Sequence, residues 1–227
     1  CVKTLISDLP KDGHAVVCGT SVSRFICRDA LYASHLLLAE IDESVRGSCR
    51  SQKESMRGYV PKCTERSNSS GLTDMVRKFR LGSRKGSTRN IWPVGRSLDE
   101  ETEEYIRSSL EEYHDSLHRV ANSITKSLLE ILDNDTPASK SNETMGSPFV
   151  ENDPNASILT VFNCEQGSRH DTKKPLVANH TDESLVTILL LDGGDCAHVQ
   201  HEVAEGQWES VQLPQVVPMD PVFLIFA

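Results

Sequence analysis

Apolar positions along the chain follow two different periods. From Ile106 onward, Leu110, Tyr113, Leu117, Val120, Ile124, Leu128 and Ile131 recur every three or four residues, which draws one continuous stripe along a helix. Ser97-Leu98-Asp99-Glu100 reads as a capping box at its start, so the pattern predicts a long helix over 98–132. A less regular helix is predicted over 21–45, with Phe25, Ile26, Ala33, Leu37, Leu38 and Ile41 on its apolar face. Residues 13–18 read as a short buried strand. Beyond residue 156 the pattern shortens into apolar or alternating runs, and strands are expected at 157–163, 180–191, 197–203, 208–213 and 222–226. Asp192-Gly193-Gly194-Asp195 is a hairpin-turn sequence between the second and third of these.

Two stretches interrupt these periods. Residues 133–156 are rich in Asp, Asn, Ser, Thr and Pro and read as a linker-like loop. Residues 75–98 hold seven Lys or Arg and no acidic residue, interleaved with Gly and Ser. They read as a basic loop, either a solvated, mobile insertion or an anion-binding or substrate-entry loop. The expected organisation is an N-terminal helical region over 1–132, the linker over 133–156, and a strand-rich unit over 157–227. The class is α+β.

The chemistry concentrates at His180-Thr181-Asp182, followed by the apolar run Leu185–Leu191. A His and an Asp two apart on an extended strand share a face, so an imidazole nitrogen and a carboxylate oxygen can converge on one metal ion. The bland alternative is a surface strand end in which Asp182 accepts a backbone hydrogen bond. A third ligand is not evident. Pairing about Gly193 and Gly194 puts His201 opposite Val186, roughly 13 Å along the strand from Asp182 at about 3.3 Å per residue, and turns His198 to the other face. His170 lies in a charged loop. His114 and His118, four apart on the long helix, have a spacing that can seat zinc but lack the adjacent Glu of the zinc proteases.

Several stretches occur in an order that resembles one family. Arg57-Gly58-Tyr59-Val60-Pro61, Ser157–Phe162, His180-Thr181-Asp182 with its aliphatic tail, Gly206-Gln207-Trp208 and Asp220–Phe226 together resemble the 2-oxoglutarate-dependent Fe(II) oxygenases, in particular the isopenicillin N synthase-like branch. The resemblance implies N-terminal helices packed on a double-stranded β-helix, or jelly-roll, core, incomplete in this chain. It implies Fe(II) held by His180, Asp182 and a further His, with 2-oxoglutarate as cosubstrate and molecular oxygen as oxidant. A small molecule would be hydroxylated or desaturated, with Tyr59 lining its pocket. Phe162-Asn163-Cys164 departs from the family, which carries tyrosines there to help bind 2-oxoglutarate. That departure leaves open a second reading, a catalytically decayed jelly-roll binding or scaffold protein. A cysteine hydrolase built on Cys164 or Cys196 lacks any nucleophile motif.

Charge and composition narrow the partners. The net charge of −9 opposes nonspecific attraction to nucleic acid, and no apolar run approaches the roughly 18 residues that span a bilayer. Seven scattered cysteines with no C-x-x-C spacing argue against a disulfide framework or a zinc ribbon, so reduced thiols and a cytoplasmic location are expected. The chain lacks an initiator Met and stops just after an apolar run. A fragment of a longer protein is therefore expected, with the distal iron His and the Arg for 2-oxoglutarate beyond it.

Overall fold

The computed structural model describes residues 13–52, 56–65, 71, 73–95, 98–135, 153, 155–163, 176–178, 180–182, 184–190, 199–211 and 221–226. In chain order these form strand β1 (His14–Val17), helix α1 (Arg24–His35), a π-helical turn (Leu36–Glu40), helix α2 (Glu43–Ser48), strands β2 (Gly58–Val60) and β3 (Arg77–Gly82), and helix α3 (Glu100–Asp135). Strands β4 (Ile158–Asn163), β5 (Thr187–Leu190), β6 (Gln200–Ala204), β7 (Gln207–Ser210) and β8 (Phe223–Phe226) follow.

The strands make two antiparallel three-stranded sheets, β1-β8-β5 and β2-β3-β4, and a hairpin, β6-β7. Both sheets cross the division expected between a helical and a strand-rich half, since β1 and β3 precede the long helix and pair with β8 and β4, which follow it. Among the described residues, the pairing expected between the second and third strands of the strand-rich half is also not seen. Here β5 pairs with β8, in the register Thr187↔Phe226, and β6 pairs with β7. The Gly193-Gly194 turn lies outside the described residues.

Helix α3 is the stripe expected from its period. Ile106, Leu110, Tyr113 and Ile124 are buried, and Leu117, Val120 and Leu128 pack beside them. Burial of each such large aliphatic side chain contributes roughly 1.5–3 kcal/mol. Its 36 residues reach roughly 54 Å at about 1.5 Å per residue. One helix thus covers both hydrophobic clusters, that of α1 with the β2-β3-β4 sheet and that of Ala15, Val17 and Ile225 in the other sheet. Its first turn is capped by Asp99; Ser97, the start of the expected capping box, lies outside the described residues. The Asp99 carboxylate accepts from Thr102 N–H and from Thr102 Oγ1, both at 2.8 Å, and these bonds hold its pKa down.

The helix expected over 21–45 is broken in two. Ser23 caps α1 by accepting from Phe25 N–H at 3.1 Å. The π turn that follows buries Leu37 and Leu38, and Ile41 leaves the helix with ψ 140°. Phe25 is exposed, flanked by the guanidinium groups of Arg24 and Arg28, while Cys27, Ala30, Ala33 and Ser34 form the buried face. Ser34 is tolerated there because its hydroxyl donates to Ala30 O at 2.6 Å.

The expected basic loop is in part a central strand. Arg77–Gly82 is β3, flanked by β2 and β4. Phe79 and Leu81 point into the core, and Lys78 and Arg80 share the opposite face. Glu65 gathers that face, binding Lys78 Nζ at 2.6 Å and the Arg80 guanidinium at 2.6 and 2.8 Å. Burial pushes the Glu65 carboxyl up, but the hydrogen bonds from Arg80 and Lys78 outweigh it and hold the pKa below the usual range. On the same face, Gly82 gives room for the Arg57 guanidinium, which a Cβ there would meet at 2.1 Å.

Candidate metal site

Residues 180–182 lie just ahead of β5, and the strand begins at Thr187 rather than at His180. The His and Asp nevertheless face each other, with His180 Nε2 3.2 Å from Asp182 Oδ1. Each is tied down from behind. His180 Nδ1 lies 2.8 Å from Ala178 O, and because a carbonyl only accepts, this nitrogen carries the proton. Asp182 Oδ2 accepts from Thr187 Oγ1 at 2.6 Å, and Ser184 Oγ lies 2.9 Å from the same threonine oxygen.

This arrangement fits a divalent cation. With Nδ1 protonated, the neutral ring presents its Nε2 lone pair to a carboxylate oxygen, so two acceptors face each other. A cation or a second proton must lie between them. Cis donors about 2.1 Å from one ion stand about 3 Å apart, close to the spacing found. An Nδ1–H···O=C bond is the usual second contact of a metal-bound His. Both side chains are about half exposed, which leaves them open to an ion and to further ligands.

Among the described residues no three metal-ligating side chains come together. His201 instead packs against His14, ring centroids 4.5 Å apart. His14 stands opposite Phe226, which stands opposite Thr187, so His14 is two strand spacings, roughly 9.5 Å, from the start of β5. His170, His198, Cys164 and Cys196 lie outside the described residues.

The helix pair His114 and His118 is occupied by protein partners. Asn122 Nδ2 donates to His118 Nε2 at 3.1 Å, His118 Nδ1 lies 2.9 Å from Ser157 Oγ, and Ser157 Oγ lies 3.1 Å from His114 Nε2. His114 Nδ1 ends the chain at 3.5 Å from Asp115 Oδ1. Both rings stack nearly parallel with no nitrogen left for a metal, and burial pushes the His114 pKa down. No local pattern marks this relay, because Ser157 lies 39 positions from the nearer His.

Tyr59 is 1% exposed, and its hydroxyl donates to the Glu43 carboxylate at 3.0 Å. That is a packing position with little surface left for a small molecule. Gly58 beside it has φ +102°, and a Cβ there would meet Cys49 O at 2.3 Å, so the Gly-Tyr pair is required by the close crossing of Tyr59 and Cys49. Phe162, in the departing stretch, is partly exposed with Lys78 Nζ 5.8 Å above its ring. Cys18, Cys27, Cys49 and Cys63 are free thiols, and burial raises those of Cys27 and Cys49 to about 11. Among the described residues no helix is long and apolar enough to cross a membrane.

No protein-family model and no curated protein matches the sequence. Solved structures do resemble the fold. A full-length Neurospora crassa protein crystallised in complex with alpha-KG matches with a TM-score of 0.70 at 13% identity, over 100% of this chain and 66% of that one. The same protein with alpha-KG and thymine matches at 0.67 and 11%, over 100% of this chain and 67% of that one. A protein assigned to the 2OG-Fe(II) oxygenase family from Caulobacter crescentus matches at 0.67 and 15%, over 99% of this chain and 68% of that one. The chain thus spans about two thirds of the length of its structural neighbours, and over that span it has the jelly-roll fold of the 2-oxoglutarate/Fe(II) oxygenases.

Proposed function

We propose that this protein is a non-haem Fe(II), 2-oxoglutarate-dependent oxygenase acting on a small molecule, with His180 and Asp182 as two of the iron ligands. The observation that carries the reading is the convergence of His180 Nε2 and Asp182 Oδ1, 3.2 Å apart with each side chain anchored from behind. The fold supports it, as do neighbours crystallised with alpha-KG and, in one case, with thymine. The Arg57–Pro61 and Ser157–Phe162 stretches favour the isopenicillin N synthase-like branch.

Iron with bound 2-oxoglutarate supplies oxidation of a C–H bond by molecular oxygen, coupled to release of succinate and carbon dioxide. The chain's own part is to hold and orient. His180 offers a neutral nitrogen and Asp182 an anionic oxygen, a mixed donor set suited to Fe(II) with positions open for other ligands. Thr187 keeps one carboxylate oxygen turned away, so Asp182 presents the other as a single donor. The free thiols fit a reducing compartment such as the cytoplasm, where Fe(II) also persists.

Titration with Co(II) as an oxygen-stable probe, followed by its visible absorption, tests the site. His180→Ala and Asp182→Ala should each weaken binding at least about 100-fold. Undiminished Co(II) affinity in both variants would end the oxygenase reading and leave a binding module of the same fold.

A further inference from the structure

We propose that Asp74 is a positioning residue for this metal site, aiming the His180 imidazole from the neighbouring sheet by holding the backbone of Ala178. The inference rests on His180 being a ligand. It adds a residue that the sequence offered no reason to connect with the site.

Asp74 precedes β3 and is itself fixed. Its N–H donates to Glu65 O at 3.1 Å and its carbonyl accepts from Cys63 N–H at 2.8 Å. Its side chain is only 12% exposed and divides its two oxygens. Oδ2 is ion-paired with the buried Lys78, which Glu65 also holds. Oδ1 accepts the Ala178 N–H at 2.9 Å, across 104 positions of sequence. Met75 N–H donates to Leu176 O at 2.8 Å and secures the same segment a second time. Ala178 is 2% exposed, and its carbonyl is the group to which His180 Nδ1 donates.

The consequence is mechanical. A buried carboxylate fixes the Ala178 peptide, that peptide's carbonyl fixes the ring, and the ring's other nitrogen faces Asp182. Asp182 takes its own orientation from Thr187 in the other sheet. The two ligands are therefore aimed from different sheets, and their spacing reports how the sheets are seated.

The role requires an acceptor at position 74 and not a charge. Removing Asp74 alone would strand the Lys78 charge in the protein, so the test removes both charges. Asp74→Asn with Lys78→Met keeps the acceptor for Ala178; Asp74→Ala with Lys78→Met deletes it. Co(II) affinity should stay within about threefold of the parent in the first and fall about tenfold in the second, the lower end of the effect of outer contacts on metal affinity. His180→Ala serves as the reference. Equal affinities in the two double variants overturn the proposal, whereas a His180→Ala protein that binds like the parent overturns the ligand assignment beneath it. Should the Ala variant not fold, imidazole nitrogen shifts of the unaltered protein decide: the Nδ1–H tautomer of His180 is expected, and the Nε2–H tautomer overturns the aiming.

Discussion

Among the described residues, two places hold a histidine at hydrogen-bonding distance from polar groups on both sides, and they differ in what the second ring nitrogen meets. At His114 and His118 every ring nitrogen meets a partner of the protein's own, in one run from Asn122 through Ser157 to Asp115. At His180 one nitrogen is satisfied by a carbonyl and the other faces an acceptor. Spacing along a helix or strand does not separate these cases. What separates them is whether the second nitrogen meets a donor or an acceptor, and that depends on residues far away in sequence.

The widest separation between the two should come from alanine substitutions. His114→Ala removes a buried ring and leaves Ser157 without one partner, which should cost about 2–4 kcal/mol in denaturant melts while Co(II) affinity stays unchanged. His180→Ala should do the reverse, losing the metal while shifting stability by less than about 0.5 kcal/mol, because the ring is half exposed. If both variants lose metal binding, the distinction fails.

Acidification should come next in size. Burial lowers the His114 pKa, so between that value and 6.5 the unfolded chain binds the extra proton and stability falls as pH drops. The slope should be absent in His114→Gln. A second loss should begin as pH falls below 4.5 and be complete below the folded-state value of Glu65, whose carboxylate is stabilised by Arg80 and Lys78. Urea midpoints measured from about pH 7 to about pH 3 would show both phases.

Thr187→Val sharpens the metal half of the contrast. It frees Asp182 Oδ2 to rotate and should weaken Co(II) binding about three- to tenfold with little change in melting. Asn122→Ala probes the other half and should cost about 1 kcal/mol without touching the metal.

How much was legible in the sequence follows the same logic. Helix α3 and β8 were readable because one apolar period or run decides each of them. The closeness of His180 and Asp182 was expected from their spacing, although residues 180–182 lie ahead of β5 and not on the strand that reading assumed. Arg77–Gly82 was not, since its charges suggested a loop until Glu65 and Asp74, brought in by the fold, neutralised one face. The split of the 21–45 helix was hidden as well, because Leu36–Glu40 continues an apolar pattern while its hydrogen bonding changes. Asp74 carries no local mark of its contact with Ala178.

Helix α3 has one more consequence. Its first half is seated on one cluster and Ile124 on the other, so neither sheet has a private core to fall back on. Opening one uncovers part of the rod that the other needs, and the two should melt together as a single cooperative unit. Trp92, whose ring lies beside that of Phe79, should then report the same midpoint by fluorescence as a probe placed on β8.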